Sequence, residues 1–276
     1  NLRFHQRRTA DRDIFFVANR DGGPSSCTGI FRTDGANPEL WDPTNGSVKA
    51  LPSFSKQKNG TVNVPLQFAA HEGIFIVFDR TATAEKGEGA NFASHEPLQT
   101  IDGTWQVRFD PTWGGPDQPV SFAALTDWTT HKDSGIKYYS GIAVYETRFD
   151  SNPAELDSEM LLDLGKVEDM ARVTLNGKLL GTVWSAPYRV AIPAGLLKKR
   201  NNLLKIEVVN TWHNRLVGDT KPKDKGARKL KWENGLLGGK SYSAGRYTFS
   251  NKPDARGKLH PAGLLGPVRI MTSGDK

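Results

Sequence analysis

The sequence contains a single cysteine, Cys27, among 276 residues. One thiol excludes an intrachain disulfide and a cysteine-based zinc cage. No apolar run approaches the roughly 18 residues that mark a membrane helix. Hydrophobic residues make up 37% and charged residues 24%, the balance of a globular chain rather than a disordered one. Familiar catalytic signatures are missing too. There is no G-x-S-x-G elbow, H-E-x-x-H pair, Walker A loop or strand-linked G-x-G-x-x-G. The histidines (His5, His71, His95, His131, His213 and His260) stand singly, none with a second ligand at metal-binding spacing. No cofactor is expected, apart from a structural calcium ion that Asp, Asn and loop carbonyls could hold; EF-hand spacing is absent. The chain opens on Asn-Leu-Arg-Phe, without an initiator Met or an apolar leader, as expected of a processed or excised piece.

What is present is strand pattern. At about 150 residues per domain, the length suggests roughly two domains. Residues 14–18 (IFFVA), 28–33, 61–66 (TVNVPL) and 73–78 (GIFIVF) are short apolar or alternating runs. They are closed by turn clusters such as Asn19-Arg20-Asp21-Gly22-Gly23-Pro24 and Asn45-Gly46. Residues 80–100 are polar and Gly/Ala-rich and read as a linker or edge between domains. Strands follow at 103–110, 136–149, 160–164, 171–175, 179–183, 203–209 and 263–270, with Asn176-Gly177 as the strongest hairpin signal. Only residues 193–199 suggest a helical turn, with Pro193 near its start. The expected fold is all-β: two antiparallel β-sandwiches, one over 1–100 and a jelly-roll-like one over 101–276.

The charge sum is +7, and residues 221–231 (KPKDKGARKLK) carry +5 of it, with six Lys/Arg against one Asp. Pro and Gly interrupt this run, no helical pattern orders it, and a solvated loop is the plainest reading. Asp163, Glu168 and Asp169 form the tightest acidic group. As a glycosidase carboxylate pair they are weak, because neighbouring residues on a strand point to opposite faces; a turn between strands is the expected role. Seven tryptophans are many for this length. Trp41, Trp113, Trp128, Trp184, Trp212 and Trp232 fall near loops or strand ends, and Trp105 falls mid-strand. Sugar rings pack their C–H faces on aromatic planes and need amide, acid and guanidinium partners for their hydroxyls. Trp184-Ser185-Ala186-Pro187-Tyr188-Arg189 and Asn210-Thr211-Trp212-His213-Asn214-Arg215 have that mixture; core or hairpin packing is the structural alternative for each aromatic residue.

These segments carry a resemblance. Tyr139-Ser140-Gly141 with Tyr145, Leu164-Gly165-Lys166-Val167, Asn176-Gly177, the Trp184 to Pro187 loop, Asn210-Thr211-Trp212 with Asn214-Arg215, and Gly263-Leu264-Leu265-Gly266-Pro267-Val268 together resemble the galactose-binding-like jelly roll, or sugar-binding domain, of family 2 glycoside hydrolases. The version at the C-terminal end of family 106 α-L-rhamnosidases is the nearer likeness. The opening block, with residues 13–19 (DIFFVAN) and 38–43 (PELWDP), resembles the β-sandwich that follows the catalytic barrel in such enzymes. The resemblance covers nearly the whole chain and implies a secreted or periplasmic location. In that family the hydrolytic carboxylates lie on a (β/α)8 barrel, which takes about 250 residues. Neither that length nor that helix–strand alternation is here, so no catalytic residue carries over.

The resemblance implies a non-catalytic carbohydrate-binding and scaffolding portion of a rhamnosidase-like hydrolase of plant or algal polysaccharides. Trp184, Tyr188, Trp212, Asn214 and Arg215 are its candidate sugar contacts. Its expected partners are a carbohydrate ligand and a catalytic barrel, in the same parent chain or a partner chain, with no membrane. Two alternatives stand beside it. One is a stand-alone hydrolase or lyase using His213, Tyr188 and Arg215. The other is a polyanion-binding protein working through residues 221–231, for which an acidic polysaccharide is favoured over nucleic acid.

Overall fold

A computed structural model describes residues 1–151, 160–219 and 257–273. The chain divides into two compact units. The first holds Asn1–Glu96 with Ser185–Pro187 and Ser273–Lys276, and the second holds Pro97–Trp184 with Tyr188–Thr272. Both are built from strands, so the all-β, multi-sheet class expected from the sequence is what forms.

In the first unit the strands are β1 (Leu2–Arg8), β2 (Arg12–Asn19), β3 (Ser25–Arg32), β4 (Ala36–Trp41), β5 (Val48–Ala50), β6 (Phe54–Lys56), β7 (Thr61–Phe68), β8 (Gly73–Asp79) and β9 (Lys86–Gly87). They make two antiparallel sheets, ordered β1-β2-β8-β4-β5 and β3-β7-β6-β9. Alternation decides which side chains enter the core. Phe15, Val17, Leu40, Ile74, Ile76 and Phe78 come from one sheet, and Phe31, Phe54, Val62, Val64, Leu66 and Phe68 from the other. Asn45-Gly46 turns β4 into β5 as expected. Two features go beyond the apolar pattern of the sequence. Residues 2–8 are too polar to look like a strand, yet they pair along the whole of β2. Residues 80–100, expected as a linker or edge between domains, contribute β9 to the edge of a sheet, and Asn91 pins the stretch down. The buried amide of Asn91 accepts from the Ser53 N–H at 2.7 Å and donates to the Ser53 and Pro65 carbonyls, each at 2.9 Å.

The second unit contains β10 (His95–Thr100), β11 (Trp105–Phe109), β12 (Val120–Phe122), a single helical turn α1 (Ser134–Lys137), β13 (Ile142–Phe149), β14 (Met160–Asp163) and β15 (Lys166–Glu168). It continues with β16 (Met170–Leu175), β17 (Lys178–Val183), β18 (Arg189–Ile192), β19 (Asn202–Val209), α2 (His213–Asp219), β20 (Gly263–Gly266) and β21 (Arg269–Ser273). A six-stranded sheet runs β12-β11-β13-β19-β16-β17, a four-stranded sheet runs β10-β21-β14-β18, and β15 pairs with β20. Trp105, Val107, Tyr145, Val173 and Ile206 of the large sheet share one core with Leu162, Ile192 and Ile270 of the smaller one.

The Asn176-Gly177 hairpin forms between β16 and β17, both residues at positive φ (51° and 83°), the backbone that a two-residue primed turn requires. Residues 136–149 are not one strand. Asp133 caps α1 by accepting from the Gly135 N–H at 2.7 Å, and the chain re-enters the sheet only at Ile142. Residues 193–199 form a reverse turn closed by Leu196 N–H to Pro193 C=O at 3.2 Å rather than a helix. Residues 263–270 split into β20 and β21, because Pro267 has no N–H to continue a ladder. The only α-helix longer than one turn among the described residues, α2, starts just past the expected strand 203–209 and its Asn210-Thr211-Trp212 end, where no helix is expected. The basic run at 221–231 and Trp232 lie outside the described residues.

Candidate functional site

Two of the sugar-binding candidates, Tyr188 and Trp212, belong to a corner of the second unit where β15 turns into β16: Tyr188 feels the charges of Lys166, Glu168 and Asp169, and Trp212 follows a residue bonded to Asp169. Glu168 ends β15 and ion-pairs with Lys166 at 2.9 Å. Asp169 lies between the two strands, off the pleat, so alternation does not send it to the face opposite Glu168. Its Oδ2 accepts the Thr211 N–H at 2.9 Å, while its own N–H donates to the Val209 carbonyl at 2.9 Å. This fixes the chain just before Trp212. The other side of Thr211 is held by Ser140, whose hydroxyl donates to the Thr211 carbonyl at 2.9 Å. Asn210 completes the latch: its amide accepts from the Gly141 N–H at 3.1 Å and donates to the Tyr139 carbonyl at 2.9 Å. Gly141 sits at φ +148°, and a Cβ there would come within 2.9 Å of the Tyr139 hydroxyl. The Tyr-Ser-Gly and Asn-Thr-Trp motifs are thus two halves of one clamp.

Tyr188, just before β18, is half-buried and leans on the core. Burial raises the pKa of its hydroxyl, and the carboxylates of Glu168 and Asp169 raise it further against the opposing charge of Lys166. At neutral pH the group is a protonated phenol, a hydrogen-bond donor rather than a ready base. Trp212 is 41% exposed and follows directly on the clamped Thr211. The corner therefore combines an exposed indole, a phenol donor, two carboxylate acceptors and an ammonium donor. That inventory suits a polyhydroxylated ligand: a C–H face for the ring and both hydrogen-bonding senses for the hydroxyls.

The other candidates sit differently. Trp184, just past β17, is 50% exposed. Asn214 and Arg215, on α2, are buried. Asn214 acts on the backbone: it accepts from the His260 N–H at 2.8 Å and donates to the His260 carbonyl at 2.7 Å. Beside it the His213 and His260 rings stack at 3.8 Å, and the His213 Nε2 lies 2.9 Å from the Lys258 carbonyl. These contacts tie α2 to the 257–262 segment. Lys166, Glu168 and Asp169 join the corner without a binding motif in the sequence; the one signal there is the acidic group itself, which fits a turn between strands equally well. Asp163 belongs elsewhere, bonded to Arg189 Nε and to the Gly165 N–H, each at 2.8 Å. Among the described residues no group of three His, Cys, Asp or Glu is placed to hold a metal ion. No described helix is long and apolar enough to cross a membrane.

Comparison with known proteins connects this architecture to glycosidases. The sequence model of the family 106 α-L-rhamnosidases matches residues 1–56. The solved structure of a rhamnosidase from Novosphingobium sp. PP1Y is similar over 98% of this chain and 24% of its own, with 34% identity and a TM-score of 0.78. A protein of Formosa agariphila that carries the provisional name β-glucuronidase is 39% identical over 184 residues, 64% of this chain and 16% of its own length. The chain thus spans about a quarter or less of these relatives, and what it matches is a domain-sized portion of larger multidomain glycosidases. No (β/α)8 barrel is present among the described residues.

Proposed function

We propose that the chain is the non-catalytic, carbohydrate-binding and scaffolding β portion of a larger α-L-rhamnosidase-like hydrolase of plant or algal polysaccharides. The observation that carries this reading is the likeness, at 34% identity and a TM-score of 0.78, of nearly the whole chain to one quarter of a rhamnosidase. On this reading the chain comprises a β-sandwich domain over 1–100 and a galactose-binding-like jelly roll over 101–276. The protein works in the periplasm or outside the cell, where its polymeric substrates are. Sugar stacks on Trp212, with Tyr188 donating and Glu168 and Asp169 accepting, and Trp184 offers a second exposed ring. Asn214 and Arg215 serve the site from beneath, Asn214 by holding the backbone that carries α2. The stand-alone enzyme reading has less support, since its three residues are engaged or unsuited: His213 on a carbonyl, Arg215 buried, Tyr188 held as a neutral phenol.

The test is calorimetric titration of the chain with rhamnose- and galactose-containing oligosaccharides. Binding that Trp212→Ala weakens at least tenfold, with an unchanged circular dichroism spectrum, supports the site. A chain that binds none of these glycans keeps only its scaffolding role, and turnover by the chain alone overturns the non-catalytic reading.

A further inference from the structure

The strands β2 and β8 are apolar on both faces. One face supplies the first unit's core through Phe15, Val17, Ile74, Ile76 and Phe78. An antiparallel sheet whose second face meets water is polar on that side, whereas the centre of this face, on β2 and β8, carries Ile14, Phe16, Phe75 and Val77. Cross-strand register places His5, Phe16, Phe75, Trp41 and Val48 side by side across all five strands. The neighbouring row is Arg7, Ile14, Val77, Glu39 and Ala50. Phe16 and Phe75 pack ring against ring at 5.1 Å. Val77, in the second of these rows, is fully buried although it lies outside the core cluster. Phe16 remains 36% and Val48 55% exposed. Scattered apolar residues on a surface are ordinary, whereas a contiguous patch of this kind marks an interaction site.

A glycan platform needs hydrogen-bonding groups among its rings. Ile14, Phe16, Phe75 and Val77 have none, and the Trp41 indole N–H is engaged by Glu39 at 2.9 Å. The face therefore suits protein. Its border has a sign as well: Arg3, His5 and Arg7 of β1 project to this same side and are exposed. Four of the five strands, β1, β2, β4 and β5, fall inside the segment matched by the rhamnosidase family's sequence model. Most of the similar rhamnosidase chain lies outside the matched portion. We infer that this face is the seat of the glycosidase's catalytic barrel, which meets it with an apolar patch centred on Phe16 and Phe75 and with carboxylates opposite Arg3 and Arg7. The inference rests on the chain being a portion of a larger glycosidase.

Photo-crosslinking in the natural full-length polypeptide tests it. p-Benzoylphenylalanine is placed at position 16 or 75, and in a control at position 30, an exposed site on the other sheet of the same unit. Mass spectrometry of the adducts from positions 16 and 75 should identify barrel peptides, and position 30 should give none. A second set of proteins carrying Arg3→Glu and Arg7→Glu should lower the barrel adduct severalfold. Adducts only to a second copy of the chain, to a glycan, or to nothing overturn the inference while leaving the glycosidase reading intact. An intact natural product of 30.4 kDa with no barrel polypeptide bound to it removes the underlying reading instead.

Discussion

Arg8 and Asp13 face each other across β1 and β2 and are joined by two hydrogen bonds, Nε to Oδ1 at 2.6 Å and Nη2 to Oδ2 at 3.1 Å. The Asp13 side chain is fully buried, and the Thr33 hydroxyl donates to its Oδ2 at 2.7 Å. Burial alone raises this carboxyl's pKa. Hydrogen bonds from Arg8 and Thr33 and the charges of Arg8 and Arg80 outweigh it, so the group ends below its ordinary value. A depressed carboxyl stabilises the fold above its unfolded pKa, about 3.9, and the gain disappears as pH falls through the folded value. Asp13→Asn should therefore cost about 2–4 kcal/mol at pH 7, because it leaves polar partners without their anion. Urea denaturation of both proteins should show the difference shrinking below about pH 4. A difference that is constant from pH 7 to pH 2.5 would contradict the assignment.

The Asn176-Gly177 hairpin is anchored by a second asparagine. Asn202, fully buried, accepts from Asn176 Nδ2 at 2.9 Å and from the Lys198 N–H at 2.8 Å. It donates to the Ser151 hydroxyl at 3.0 Å and to the Lys198 carbonyl at 2.6 Å. Asn202→Leu fills the space but orphans these groups, and should cost roughly 3 kcal/mol. Asn176→Gly keeps the positive φ and loses only the side-chain bonds, for roughly 1–2 kcal/mol. Because the two residues share a bond, the double variant should be less destabilised than the sum of the singles. Thermal melts of the four proteins give the cycle; strict additivity would show that the shared bond carries nothing.

Much of the fold is legible because strands of half-buried sheets alternate, as in residues 61–68, and because Asn-Gly turns tolerate positive φ where other pairs do not. What escaped has specific causes. Residues 2–8 pair through their backbones while presenting polar side chains, so no apolar pattern advertises β1. Residues 136–149 keep a strand-like composition through α1, and only the Asp133 cap and the Asn210 clamp on Gly141 show where the strand begins. The continuous apolar runs at 14–18 and 73–78 gave the strands correctly but not the meaning of their second face. At the candidate site, strand-end position marked Trp184 and Trp212, and both are exposed. The mixture of amide and guanidinium side chains beside Trp212 marked Asn214 and Arg215, which are buried on a helix. Glu168 and Asp169 join the corner because the chain leaves the pleat at Asp169, between β15 and β16.

The hydroxyl of Tyr188 provides the finest test of the corner. Its main-chain carbonyl, not its side chain, accepts the Leu164 N–H at 2.9 Å, so removing the hydroxyl leaves that bond in place. Its ring packs partly on the core, and phenylalanine keeps that packing. Tyr188→Phe should melt close to the parent chain yet bind a glycan about five- to tenfold more weakly, the loss of one hydrogen bond worth roughly 1 kcal/mol. Since burial and the two carboxylates raise its pKa, the phenol stays protonated through neutral and mildly alkaline pH. Affinity should then be flat between pH 7 and about 9, where a free tyrosine also remains a donor. Spectrophotometric titration adds a control within the same protein. Tyr139, whose hydroxyl receives the Asp110 N–H and donates to the Ile142 carbonyl, is pushed up to about 12 mainly by burial. It should ionise above the roughly 10 of a free tyrosine, and loss of glycan affinity that tracks its ionisation rather than the substitution at 188 would place the donor elsewhere.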